Sequence, residues 1–301
     1  MKPAPATRRV APLRVLTLAI AASVFCGAGA AAEESSRATA APPVLQVQKI
    51  RAGFQVIYGA GGNVLVWSGP DGILLVDSGL VASATSLFDT VAKIAPGALR
   101  FVVNTHGHPD HVGGNEYARA NGAIVIAHES LERVVQPTIT LTDALALHLN
   151  GERVDIIHTG DAHTDGHLVL RWVESDVMDL GDVYWNAQYP LIDVAGGGSL
   201  AGIVSAIEAA LARGNDRTVF VPGHGVVSGR GELAAYRDML VTVGRNVRES
   251  IEQGRSLDEI IAMHPTAEFD ERFGQGAMVT PQEFVRTVYR DLTARRVTSR
   301  N

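Results

Sequence analysis

From residue 44 onward, short apolar runs alternate with turn signals, and the spacing inside each run separates strands from helices. Residues 63–67 and 73–76 flank Gly69-Pro70-Asp71-Gly72, which predicts a hairpin with a turn of more than two residues. Leu87, Val91 and Ile94 share one face of a helix predicted over 81–94, stopped by Pro96-Gly97. Strand-like runs follow at 101–103, 123–127, 154–157, 168–173, 177–180 and 219–221. Ser199 is placed to cap a helix over 200–212, because its hydroxyl can accept from the unpaired amides of the first turn. Residues 232–296 read as three helices with breaks near Gly254 and His264-Pro265. No internal repeat is visible. The pattern predicts an α/β chain with its strands first and its last helices packed outside, in one domain spanning 44–301.

The N-terminal pattern is different. Lys2, Arg8, Arg9 and Arg14 come with no acid and precede the apolar run 15–26, too short to span a bilayer as a helix, which needs roughly 20 residues. Together with Ala28-Gly29-Ala30 and Ala30-Ala31-Ala32, each an A-x-A-like cleavage site, this predicts a secretory signal peptide over 1–32. Ala11-Pro12 after Arg8-Arg9 weakens a twin-arginine reading, and Phe25 before Cys26 argues against lipoprotein processing. Residues 33–43, rich in Ala and Pro, read as a flexible linker. The expected location is periplasmic or secreted, with no stable membrane anchor after cleavage.

Composition sharpens this picture. The 301 residues are 46% hydrophobic and 19% charged, which is ordinary for a globular protein and excludes wholesale disorder. The formal net charge of −6 argues against a nucleic-acid partner, since phosphate neutralisation needs a basic face. Removing the four leader cations and no acid takes it to −10. Cleavage would also remove the single cysteine, Cys26, leaving neither disulfides nor a Cys-rich metal cage. Any metal chemistry must rest on histidine and carboxylate.

The ten histidines are unevenly spread. Directly after the strand 101–103 comes Asn104-Thr105-His106-Gly107-His108-Pro109-Asp110-His111, on a segment where Gly107 and Pro109 should prevent regular helix. Alternation places His106 and His108 toward one side, while Asp110 and His111 can turn toward a second point. One ion cannot use all four and stay open to substrate, and imidazole and carboxylate suit zinc, so the spacing points to two adjacent catalytic ions. The competing explanation is a surface His-rich loop or a single structural site. Further candidates stand at the ends of other runs: His163 in Asp161-Ala162-His163-Thr164, Asp182 after 177–181, and His224 in Pro222-Gly223-His224-Gly225.

In these residues and their order the chain resembles the metallo-β-lactamase superfamily, over nearly all of 46–240. The resemblance implies a four-layered αβ/βα sandwich with a dinuclear metal site at one edge. It implies that His106, His108 and His163 hold a first Zn2+ and Asp110, His111 and His224 a second, with Asp182 bridging. Asp77, in Val76-Asp77-Ser78-Gly79, matches an early Asp that buttresses the metal loop without being a ligand. His163 is preferred over His158 because it alone has the A-H-T-x-G setting. His167 resembles a second His of glyoxalase II-like members, or is a strand residue; His128 either approaches the pocket or lies on the surface; His148 and His264 are expected to face solvent or cap.

Two zinc ions acidify a water to hydroxide at neutral pH and polarise a carbonyl, so hydrolysis of an amide, ester or thioester of a small molecule is expected, with Asp110 orienting the nucleophile and carrying its proton. Ser199 does not compete as a nucleophile. His108 stands where flavodiiron-type reductases resemble H-x-E-x-D-H, which disfavours a redox role, and an acidic exported chain lacks the basic arm of the tRNA-processing nucleases. Asp182 in place of a Cys ligand departs from the strict β-lactamase pattern. Trp185, Asn186 and Tyr189 are candidates for the substrate pocket, or pack against the C-terminal helices. The sequence thus predicts an exported dizinc hydrolase of a β-lactamase-like cyclic amide, with a lactonase, esterase or thioesterase as runner-up and a metal-retaining accessory protein as a third reading.

Overall fold

The computed structural model describes residues 44–276 and 278–298; the predicted signal peptide and linker lie outside them. The first sheet begins as an antiparallel meander of β1 (Gln46–Arg51), β2 (Phe54–Tyr58), β3 (Val64–Gly69) and β4 (Gly72–Val76). It continues in parallel through α1 (Ala84–Ile94), β5 (Leu99–Val103), α2 (Pro109–Val112), α3 (Asn115–Ala120), β6 (Ile124–His128), α4 (Glu132–Val135) and β7 (Ile139–Leu141). The second sheet runs antiparallel through β8 (Ala144–Leu149), β9 (Glu152–His158), β10 (Leu168–Trp172) and β11 (Val177–Trp185). Helix α5 (Leu200–Arg213) then returns the chain so that β12 (Val219–His224) lies parallel to β11. The chain closes with α6 (Arg230–Glu252), α7 (Leu257–Ala262), α8 (Asp270–Phe273) and α9 (Pro281–Thr298).

Strand alternation builds the layers. Leu65 and Trp67 of β3 and Leu74 and Val76 of β4 face the second sheet, where they meet Val154, Ile156, Leu168, Leu170 and Trp172. Their neighbours Val64, Val66, Ile73 and Leu75 point the other way and pack under Leu87, Phe88 and Val91 of α1. On the far side, Met178, Leu180 and Phe220 pack against α5, α6 and α9 through Ile203, Ile207, Leu240, Val243 and Phe284. The result is helix, sheet, sheet, helix: the αβ/βα sandwich. Trp172 locks the two sheets together, edge-on to Phe54 at 5.4 Å and to Trp67 at 5.7 Å. Each such buried side chain is worth roughly 1.5–3 kcal/mol of transfer free energy or more.

Four local features differ from the sequence prediction. The β3–β4 ladder extends to a Gly69–Gly72 pair, leaving a two-residue loop of Pro70 and Asp71. That tight turn is tied to the β8–β9 turn, with Asp71 N donating to Asn150 Oδ1 at 2.8 Å and Asn150 N to Asp71 Oδ2 at 2.6 Å. The helix predicted from residue 81 opens as a 3-10 turn and becomes α-helical at Ala84. Pro109 starts a helix instead of preventing one, because at the first helical position its missing N–H is not needed. The C-terminal part holds an additional one-turn helix, α8, whose Phe273 is buried. No helix among the described residues is long and apolar enough to cross a membrane.

Candidate metal centre

The site forms where parallel strands of both sheets end. After β4, Asp77 takes a left-handed backbone (φ 64°), a strained conformation that aims its carboxylate under the segment following β5. Its Oδ1 accepts from Thr105 N at 2.8 Å; its Oδ2 accepts from Thr105 Oγ1 at 2.8 Å and faces His111 Nδ1 at 2.7 Å. The one-turn helix α2 carries Asp110 and His111 and is pinned from outside, with Gly62 N donating to Asp110 O and Ser78 N to His111 O. In the second sheet, the pairing of β11 with β12 shifts register around Gly181, and the resulting irregularity delivers Asp182 to the centre. Gly223 is required there, since a Cβ would lie 1.9 Å from Asp182 Oδ1.

Seven candidate ligands converge in two groups: His106, His108, His163 and Asp182, and Asp110, His111 and His224. Asp182 faces both. Its Oδ2 lies 3.8, 3.5 and 3.4 Å from Nε2 of His106, His163 and His224, and its Oδ1 lies 3.3 Å from Nε2 of His111. Asp110 Oδ2, at the more open side, lies 3.5 Å from His111 Nε2 and 3.4 Å from His224 Nε2.

Away from the centre, the other ring nitrogens of four histidines meet oxygens. His106 Nδ1 is 3.0 Å from Thr105 Oγ1, His108 Nε2 is 3.1 Å from Asp193 Oδ2, His163 Nδ1 is 2.9 Å from Leu191 O and His111 Nδ1 meets Asp77. An oxygen behind an imidazole fixes its tautomer and turns the opposite nitrogen's lone pair inward, as metal-ligating histidines require. The inward atoms fit a cation well: His106 Nε2, His111 Nε2 and Asp182 Oδ1 are buried without a hydrogen-bond partner, an arrangement costly for a fold that has no use for them. His163 Nε2 and His108 Nδ1 likewise face each other at 3.1 Å.

Electrostatics follow the same geometry. Burial, then the neighbouring His111 and His163, hold the His106 imidazole well below its ordinary range. Burial, with His108 nearby, takes His163 down to about 4, against the pull of Asp182. Both are neutral at physiological pH, the ligating form. Burial would lower His111 and His224 too, but Asp182 with Asp77 raises His111 well above the ordinary range, and Asp182 with Asp110 raises His224 to about 9. Burial would raise the Asp182 carboxyl, yet His111, His224 and His106 together outweigh it and hold Asp182 well below the usual carboxylate range. A carboxylate that stays ionised while buried among imidazoles is a strong centre for divalent cations.

Other predicted residues are placed differently. Trp185 is buried and rests on the His224 ring at 4.3 Å, so it backs a candidate ligand without walling a pocket. Tyr189 turns away into the C-terminal helices, stacked on Phe284 at 4.9 Å with its hydroxyl 2.8 Å from Asp270 Oδ1, and Asn186 is spent on Val226 O. His167 is fully buried beside His106, its Nε2 donating to Leu180 O, and burial followed by His163 takes it to about 3. His158 lies outside both groups and donates to Asp165 O; it stacks on His128 at 3.9 Å. Ser199 caps α5, accepting from Gly202 N at 3.0 Å. Asp193 and Thr105 were missed as partners of the histidines; Thr105's place beside His106 was a signal, whereas no spacing ties Asp193 to His108.

A family model described as the metallo-beta-lactamase superfamily matches residues 59–224, which hold all seven candidate ligands and end on His224. The chain belongs to the metallo-β-lactamase superfamily. It is 30% identical over 92 residues to a hydroxyacylglutathione hydrolase of Erythrobacter litoralis (30% of this chain, 36% of that protein). It is 25% identical over 185 residues to a metallo-beta-lactamase type 2 of Bacillus cereus (59% of this chain, 72% of that protein). Among solved structures, a sec-alkylsulfatase from Pseudomonas sp. superposes with a TM-score of 0.66 at 16% identity, covering 82% of this chain and 50% of the other. A metallo-beta-lactamase from Pontibacter korlensis gives 0.59 at 22%, covering 65% and 99%. The two structures share the superfamily's fold. The alignment spans about a third of the hydroxyacylglutathione hydrolase and half of the sulfatase.

Proposed function

We propose that this protein is an exported dizinc hydrolase that opens a cyclic amide of β-lactam type. The observation that carries the hydrolase reading is the paired ligand set around Asp182, with buried, unpartnered inward nitrogens and an oxygen behind four of the histidines. His106, His108 and His163 would hold one ion, Asp110, His111 and His224 the other, and Asp182 would bridge them. When bound, the two ions supply an acidified water and polarise the substrate carbonyl.

The chain's own residues supply the rest. Thr105, Asp193, Leu191 and Asp77 hold the imidazoles in the tautomer that presents a lone pair inward. Asp110 is partly exposed at the opening; burial would raise its carboxyl, but His224 and His111 keep it below the usual carboxylate range. It is therefore ready to take a proton from the nucleophile and return it to the departing nitrogen as the amide C–N bond breaks.

Nitrocefin and carbapenem turnover by the zinc-loaded protein is the expected result, lost on EDTA treatment and in His106→Ala. No turnover of any β-lactam would end the substrate assignment. The second reading is a thioesterase, favoured by the 30% identity to a hydroxyacylglutathione hydrolase and by Asp182 in place of a cysteine. A panel of thioesters, lactones and aryl esters separates the two.

A further inference from the structure

The metal centre is flanked by two recesses of different character. One, about 430 Å³, touches His224 and is lined by uncharged polar groups, among them Gln48, Tyr58, Asn63 and Gln188. The other, about 600 Å³, touches His108 and is formed by the segment 191–195 on one side and by Thr287 and Arg290 of α9 on the other. Thr287 and Arg290 are three residues apart, so they share a helix face. Leu191, Ile192, Val194 and Ala195 make this recess largely apolar, and Arg290 is its one cation among the described residues.

The Arg290 guanidinium makes no ion pair or hydrogen bond among the described residues, and the neighbouring Asp291 is buried and accepts from Leu200 N at 3.0 Å. Asp193, the carboxylate in the same recess, is committed: Oδ2 meets His108 Nε2 and Oδ1 accepts from Gly196 N at 2.9 Å. A planar, permanently charged donor at the rim of an apolar recess beside a metal ligand suits a carboxylate on a short apolar arm.

We propose that Arg290 is a specificity-determining residue that binds an anionic group of the substrate in the recess beside His108, while the neutral arm of the substrate lies in the recess beside His224. This rests on the hydrolase reading and adds a substrate class and an orientation to it. Charge asymmetry across the two recesses orients the substrate over the centre. No Lys or Arg follows Asp182 closely in sequence to do this from the other side.

The test uses the zinc-loaded full chain and a matched pair of aryl esters, one ending in a free carboxylate (a glutarate monoester) and the other in its methyl ester. In Arg290→Gln, KM for the carboxylate is expected to rise about 10–100-fold with KM for the methyl ester unchanged, the loss typical of a charge-assisted hydrogen bond. Arg290→Lys should retain part of the preference. Arg286→Gln, one turn earlier on α9 and outside the recess, should change neither. Equilibrium titration with glutarate gives a readout independent of turnover, and its Kd should weaken about 10-fold or more in Arg290→Gln. If no ester or lactam is turned over but glutarate binding depends on Arg290, the hydrolase reading fails and the subsite stands. Equal losses on both esters, or glutarate binding indifferent to Arg290, would overturn the proposal.

Discussion

Asp193 shows how much a single carboxylate can set. His108 has two ring nitrogens, and only the one facing His163 is useful to a cation shared with His106. By meeting Nε2 at 3.1 Å, Asp193 keeps the proton there and the lone pair on Nδ1. Asp193→Ala is therefore expected to weaken the first metal site by roughly 10–100-fold while leaving the site of Asp110, His111 and His224 unaffected. Competition with a chromophoric chelator would read both affinities; equal weakening of both would point to general loosening. A second residue-scale prediction concerns His128, which belongs to neither ligand group. Its Nδ1 accepts from Ser130 N and its Nε2 donates to Thr142 O, while its ring stacks on His158. Burial and the His158 ring lower its pKa, more than Thr142 O, Glu129 and Asp165 raise it. The unfolded chain then takes up this proton at a higher pH than the folded one. Stability should fall as pH drops through about 6.5, the unfolded value. In His128→Asn, which keeps an acceptor for Ser130 N, urea midpoints between pH 7.5 and 5.5 should vary less than in the parent protein; an unchanged slope would refute the assignment.

Helix α5 carries an argument about whole elements. Glycine within a helix normally costs stability relative to alanine, so Gly→Ala should help by about 0.4–1 kcal/mol where space allows. At Gly231, in the first turn of α6, an added Cβ meets nothing within 4 Å, and Gly231→Ala should stabilise by that amount. At Gly202, in the first turn of α5, the Cβ would lie 1.8 Å from Asp161 O, so the sign reverses and Gly202→Ala should destabilise. Thermal melts of the two variants decide it, and an equal gain in both would contradict the packing. The contrast also bears on what the sequence could reveal. The central strands were legible because their runs are buried throughout, and α5 because its buried residues Ile203, Ile207, Ala210 and Leu211 recur at helical spacing behind the Ser199 cap. The strands β1 and β8 were not marked out: both expose much of their length, β1 is mostly polar, and the Ala-Leu-Ala-Leu run of β8 does not by its periodicity separate strand from helix. The seven candidate ligands were legible because four of them fall in one short segment and the other three stand at the ends of strand-like runs. Asp193 and Arg290 were not, because each reaches His108 or its recess only through the packing of distant segments.

At the scale of the molecule, the centre is held by both sheets at once. His106 follows a strand of the first sheet and His111 sits on the short helix α2 just beyond it, while Asp182 and His224 belong to strands of the second, so any ion bound among them cross-links the sandwich. The same inward atoms, His106 Nε2, His111 Nε2 and Asp182 Oδ1, are buried without a hydrogen-bond partner, and the unfolded chain would hydrate them. Zinc should therefore bind the folded state far more tightly than the unfolded one, and the fold should gain stability by mass action. At free zinc about 1,000 times a site's Kd the gain is about 4 kcal/mol. For a domain of this size that corresponds to a rise in Tm of roughly 8–16 °C, at 2–4 °C per kcal/mol. Scanning calorimetry of the protein with EDTA and with buffered zinc would measure the shift, and the doubly substituted His106→Ala, His111→Ala protein should lose most of it. A Tm indifferent to zinc in the parent protein would mean that the two sheets are joined by their apolar core alone, led by Trp172 against Phe54 and Trp67, and that the cluster around Asp182 contributes nothing to holding them.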